Sequence, residues 1–231
     1  MQIDSKKNID NLKDEKFYGK KYKYLGYFLL LLIPITFAGF YRTYISQFPN
    51  FEESIKDIDT YVHIHALISS AWILILIIQP FLIQNKKNKF HRTIGKISYI
   101  IFPLLILSFI PLIIKSINVG KIPFTFLPLS DLILLIVFYS LGIYNRRTVA
   151  KHMRYMIVTA IVLLGPTMSR MGIFLLGWSL TLTQHILHVF LYTLFISLIL
   201  YDKANNKNYL PYKLGLFCYI IHHVLFYIIL A

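Results

Sequence analysis

The chain has 231 residues, of which 57% are hydrophobic and 15% charged, with a formal net charge of +14. Soluble domains average about 45–50% apolar and about 25% charged residues, so this composition excludes an ordinary soluble core. A single cysteine, Cys218, excludes an intrachain disulfide and any multi-cysteine zinc or iron–sulfur centre.

The first 24 residues are polar and read as a charged cytoplasmic tail rather than a secretory signal. Seven apolar blocks follow. The first runs from Leu25 to Tyr44, with a kink expected at Pro34. After the acidic loop QFPNFEESIKDID comes Val62 to Ile83, then Ile94 to Ile114 with Pro103 and Pro111, and Leu127 to Tyr144. The fifth is Met153 to Leu176, the sixth Leu180 to Leu200 and the seventh Leu214 to Leu230. Blocks of about 20 apolar residues suit helices that cross a bilayer. Only Gly177-Trp178-Ser179 separates the fifth from the sixth, which predicts an antiparallel hairpin.

The fold expected is therefore all-α: one polytopic domain, 25–231, of seven transmembrane helices. With the N-terminus cytoplasmic and the C-terminus outside, the tail and the segments 85–96, 145–154 and 201–213 lie inside, and they hold 19 of the 24 Lys and Arg residues. Membrane proteins concentrate cations on the cytoplasmic side, so the net charge needs no nucleic acid. The expected partner is the lipid bilayer, with a small-molecule or lipid-like substrate as a further option.

The second block sets a polar seam. On a helix, His65, Ser69, Trp72, Leu76 and Gln79 share one face, and acyl chains offer such groups no partner. That face is expected in the bundle, with Ile73, Ile77 and Phe81 toward lipid and His65 near His185 or His188. At 1.5 Å per residue, His63, His65, Asp131, Arg170, His185, His188, His222 and His223 all fall in the outer half.

Imidazole suits haem iron, zinc and copper alike, so the residue pattern leaves three chemistries open. The first is a haem or redox metal for electron transfer or oxidation, held by His65, His185, His188, His222 and Arg170. The second is zinc-dependent hydrolysis of a lipid-like substrate, with His65, His185, His188 and His222 as ligands and Asp131 as base. The third is a non-catalytic transporter or assembly factor in which histidines relay protons along a polar path. Asp131 and Arg170 also read as a structural ion pair, and His91 and His152 as inner-surface groups beside headgroups. No Gly-x-Gly-x-x-Gly, Walker loop, Gly-x-Ser-x-Gly or His-Glu-x-x-His is present, so nucleotide and common hydrolase readings lack support.

The runs HIHALISSAWILILIIQPFLIQNKKNKFHRTIGKISY and KHMRYMIVTAIVLLGPTMSR resemble segments of multi-pass bacterial membrane proteins that carry His-Arg-x-x-Gly after a Trp- and Gln-bearing helix. That resemblance spans the second, third and fifth blocks and implies the bacterial inner membrane. As a small His-bearing bundle the chain is also faintly similar to cytochrome b561-like proteins, without their paired ligands on one helix. Seven-span ceramidase-type hydrolases offer a third likeness, but they place two histidines one turn apart on the last helix. Here His222 and His223 are adjacent.

Overall fold

The computed structural model describes residues 22, 24–50, 58–120, 122–207 and 210–230. The tail except Tyr22 and Tyr24, and most of the acidic loop, lie outside the described residues. Among those described the fold is helical throughout, and six helices are long and apolar enough to cross a membrane. A seventh, shorter apolar stretch spans Leu25–Phe40.

This first stretch is two helices, α1 (Leu25–Leu30) and α2 (Leu32–Phe40), broken at Leu31. After a 3-10 turn at Ile45–Asn50 come α3 (Thr60–Gln84), α4 (Asn88–Asn118) and α5 (Ile122–Tyr144). The fifth span is segmented into α6 (Val149–Val162), α7 (Leu164–Arg170) and a π-helical turn, Met171–Leu175. The last two are α8 (Leu180–Ala204) and α9 (Leu210–Leu230).

Both breaks have one cause. Leu31 precedes Pro34 by three residues and Leu163 precedes Pro166 by three. A proline donates no N–H and its ring presses on the carbonyl four residues back, so the ladder opens one turn upstream. The hairpin between the fifth and sixth spans is present. Gly177 supplies the left-handed turn at φ +69°, and Ser179 caps α8 by accepting from Leu182 N–H at 3.2 Å.

Consecutive helices pack as pairs, α3 on α4, α5 on α6 and α8 on α9, while α1 packs on α3 and α2 on α7. One close backbone approach is at Gly39 on α2, where a side chain would overlap the Thr167 backbone on α7. Phe138, Val158, Leu191, Phe195 and Phe226 are buried completely at the centre. Leu67, Val189 and Ile228 are among the large apolar side chains left outward, as acyl chains require.

The seam on α3 is largely as expected. Trp72 and Leu76 are buried, and His65, Ser69 and Gln79 are half-buried. Two details correct the expectation. Ile77 is buried and Ile73 and Phe81 are half-buried: Ile73 packs on the core, and α1 covers Phe81, where Gly26 lies against its ring and Tyr27 meets it at 5.2 Å. The lipid-facing stripe is instead Leu67, Leu74 and Ile78. Trp72 packs against the stacked pair Phe102 and Tyr139, with ring centroids at 5.1 and 5.3 Å. Its indole N–H finds no hydrogen-bond partner among the described residues, so aromatic packing rather than polarity fixes it.

Candidate functional site in the histidine layer

Ser130, His188 and His222 each sit eight residues from one end of their helices, Ile122, Leu180 and Leu230 respectively. A rise of 1.5 Å per residue places all three about 12 Å below that end of the bundle. His188 and His222 are buried; His185 and His223 are half-buried.

The two adjacent histidines of α9 divide between the two histidines of α8. His188 Nε2 meets His222 Nδ1 at 2.9 Å, and His185 Nδ1 meets His223 Nε2 at 3.0 Å. Consecutive helical residues point about 100° apart (360° over 3.6 residues), whereas i and i+3 lie on one side, so α9 fans its pair across the α8 face. The two sets touch where His188 stacks on His223, centroids 4.0 Å apart and planes 8° from parallel.

Both sets continue. His188 Nδ1–H donates to the Gln184 carbonyl at 2.7 Å, while His222 Nε2 meets Ser130 Oγ of α5 at 2.8 Å. Ser130 Oγ also lies 2.9 Å from the Leu127 carbonyl. On the other side, Tyr227 OH meets His185 Nε2 at 2.6 Å and Tyr192 OH meets His223 Nδ1 at 2.9 Å. All eight ring nitrogens of these four histidines therefore have protein partners.

His65 stands apart from this layer. Its Nδ1 meets Ser108 Oγ on α4 at 2.9 Å, its Nε2 meets Ser69 Oγ at 3.3 Å, and its ring stands on edge to Phe109. The expected approach to His185 or His188 is not made, because the seam of α3 is satisfied by its hairpin partner. Asp131 is buried next to Ser130 and accepts no hydrogen bond among the described residues. Arg170 donates to the Pro166 carbonyl at 3.2 Å and lies 4.6 Å over the Phe40 ring, so the expected ion pair with Asp131 is not formed. Among the described residues no group of three His, Cys, Asp or Glu side chains is arranged to hold a metal ion.

The opposite end carries a cluster that the sequence reading left among surface cations. Arg154 of α6 forms a bidentate pair with Asp202 of α8, Nε to Oδ2 at 2.7 Å and Nη2 to Oδ1 at 2.6 Å, while Nη1 donates to the Ala150 carbonyl. Tyr22 OH donates to Asp202 Oδ1 at 3.1 Å, and the Tyr22 and Tyr212 rings flank the guanidinium at 5.6 and 5.7 Å. Burial pushes the Tyr22 phenol well above its ordinary range, which keeps it a donor. The signal available was an acid at the end of one apolar block and an arginine at the start of another, at matching depth. Also at this end, His152 Nδ1 donates to the Gly142 carbonyl at 2.8 Å, and Gln79 Nε2 donates to the His91 carbonyl at 3.2 Å.

Compared with known proteins, the chain matches no family model, no curated protein and no solved structure.

Proposed function

We propose that this protein conducts or exchanges protons through its histidine layer, as a non-catalytic transporter or assembly factor with a polar path. The observation that carries this reading is the hydrogen bonding of four imidazoles to one another and to hydroxyls, with every ring nitrogen engaged. Imidazole binds and releases protons near neutral pH, and a hydrogen-bonded series of such groups passes a proton without moving an ion through lipid. The positive-inside distribution of the 24 Lys and Arg residues supports a cytoplasmic N-terminus, hence the histidine layer in the outer half of the cytoplasmic membrane.

Purified protein in liposomes with an internal pH-sensitive dye tests this reading. Under an imposed potential, the protein should acidify the lumen faster than empty liposomes; equal rates would overturn it.

A haem or transition-metal centre is the second reading, supported by the direct contact of four imidazole rings. It requires some of the present hydrogen bonds to open so that nitrogens face a common point. Zinc hydrolysis makes the same demand and adds His65, which is tied to α4. A Soret band, or Fe, Cu or Zn at one equivalent in the purified protein, would favour a metal over a proton path.

A further inference from the structure

The hydrogens in each histidine chain can be counted. A neutral imidazole supplies one N–H and a hydroxyl one O–H, while a carbonyl only accepts. The His65 chain has three contacts, from Ser69 to His65, His65 to Ser108 and Ser108 to the Leu105 carbonyl. It holds three hydrogens, all used in one direction. The His185–His223 chain has four contacts, from Tyr227 through both imidazoles to Tyr192 and the Tyr219 carbonyl. Two phenols and two imidazoles supply four hydrogens, again all used.

The third chain differs. The Gln184 carbonyl, His188, His222, Ser130 and the Leu127 carbonyl make four contacts, at 2.7, 2.9, 2.8 and 2.9 Å. Both ends accept, and the three groups between them hold only three hydrogens. In the neutral state one of the His188–His222, His222–Ser130 and Ser130–Leu127 contacts therefore has no hydrogen. One added proton fills all four contacts.

We propose that His188 and His222 form an acceptor site for one excess proton, shared across their Nε2···Nδ1 contact. For its use in transport this rests on the proton-path reading; the site itself rests on the count. Uptake consumes one hydronium and leaves one water, and the chain passes from neutral to singly positive. Ser130 then donates to Leu127, His222 Nε2–H donates to Ser130, and the bridging hydrogen lies between the two rings.

Burial opposes this charge, and the surroundings decide where it can be held. Around the pair stand Tyr192 and His185 from α8, and Tyr219 and His223 from α9. Asp131 of α5 is more than nine-tenths buried, follows Ser130 in sequence, lies in electrostatic range of Tyr219 and has no hydrogen-bond partner among the described residues. Arg170 donates to the Pro166 carbonyl and lies over Phe40, and it is also the cation in electrostatic range of Asp131. Asp131 follows Ser130, the hydroxyl that His222 meets, so the one buried acid of α5 stands a single residue from the end of this chain.

Nitrogen-15 NMR of histidine-labelled protein in lipid nanodiscs, between about pH 8 and pH 5, reads the site directly. On acidification the His188–His222 pair should pass from two bare ring nitrogens to a single acceptor nitrogen that shares the bridging hydrogen, and gain one signal of doubly protonated imidazole with coupling across that hydrogen. Ser130→Ala removes the hydroxyl, leaving two contacts and two hydrogens, and should keep the pair neutral over the same range. Ser130→Thr should restore uptake. A wild-type pair that keeps two bare nitrogens throughout overturns the site, a readout that needs no variant; so does an alanine variant that titrates like the wild type. Proton flux with a neutral pair would overturn this site and leave the path standing, whereas a protonated pair without flux would do the reverse.

Discussion

At one end of the bundle Arg154 and Asp202 meet through two short charge-assisted hydrogen bonds, with a carbonyl, a phenol and two aromatic rings around them. At the other end, Asp131 is buried and Arg170 half-buried within the span region, yet they form no ion pair within hydrogen-bond reach, and four histidines bond to one another instead. Both arrangements take polar groups out of water, but they differ in what remains free to change. The first has a fixed acid and a fixed base held in fork geometry, which ties α6 to α8 and leaves no nearby proton vacancy. The second consists of groups that can exchange roles as donor and acceptor, with one chain short of a hydrogen. A membrane bundle can hold its shape with the first and do chemistry with the second.

The comparison breaks most visibly at the ion pair. Asp202→Asn leaves the Arg154 guanidinium buried without its counter-charge, and losing one partner of such a pair destabilises by about 3–5 kcal/mol. Thermal unfolding in detergent should fall steeply for this variant. The double replacement Arg154→Met with Asp202→Leu should recover much of the loss, because no lone charge remains. Next in size, His188→Ala strands one His222 nitrogen and removes the second hydrogen bond to the Gln184 carbonyl, a loss of about 1–3 kcal/mol. Its unfolding temperature should fall less than that of Asp202→Asn, while proton flux should fall to background. This opposite ranking by stability and by flux is what separates the two ends.

How far the sequence carried this picture follows from what one-dimensional patterns encode. Apolar blocks, the Gly177 hairpin and the kink at Pro34 are local, so hydropathy and proline chemistry revealed the spans, whereas the break at Leu163 near Pro166 was not anticipated. Depth was also legible, since it is a count of residues along a helix. Lateral neighbours were not. Nothing in the α3 seam said that Ser108 would meet His65, or that α1 would cover Phe81. The adjacent histidines on α9 suggested that only one could face a given site; in the structure each faces a different α8 histidine. Asp202 and Arg154 shared a depth but were assigned to separate surface segments, because helix order around the bundle is not written in either block.

Smaller perturbations sharpen the contrast. A Cβ at Gly165 would stand 3.0 Å from Asp131 Oδ1, so Gly165→Ala must push the carboxylate aside. About 1 kcal/mol of stability should be lost, and flux should change more than the unfolding temperature does. The smallest effect belongs to the exposed Lys115–Asp59 pair, 2.6 Å apart at the edge of α3 and α4. Hydrogen bonds from Lys115 and then Tyr61 hold the Asp59 carboxyl below its usual range. With the native value depressed, any contribution is fully present above the unfolded aspartate range near pH 3.9. It disappears as pH falls through the lower native value. Asp59→Asn should therefore leave both unfolding temperature and flux unchanged at neutral pH, as expected of an exposed pair.

The measurement that bears most directly on the division of labour is proton flux per folded molecule in proteoliposomes, compared between the wild type, His222→Phe and Asp202→Asn. His222→Phe should abolish flux while the protein remains folded. Asp202→Asn should reduce the folded fraction and leave flux per folded molecule near the wild-type rate. Flux that survives His222→Phe, or that vanishes from fully folded Asp202→Asn, would contradict the assignment of proton chemistry to the histidine layer.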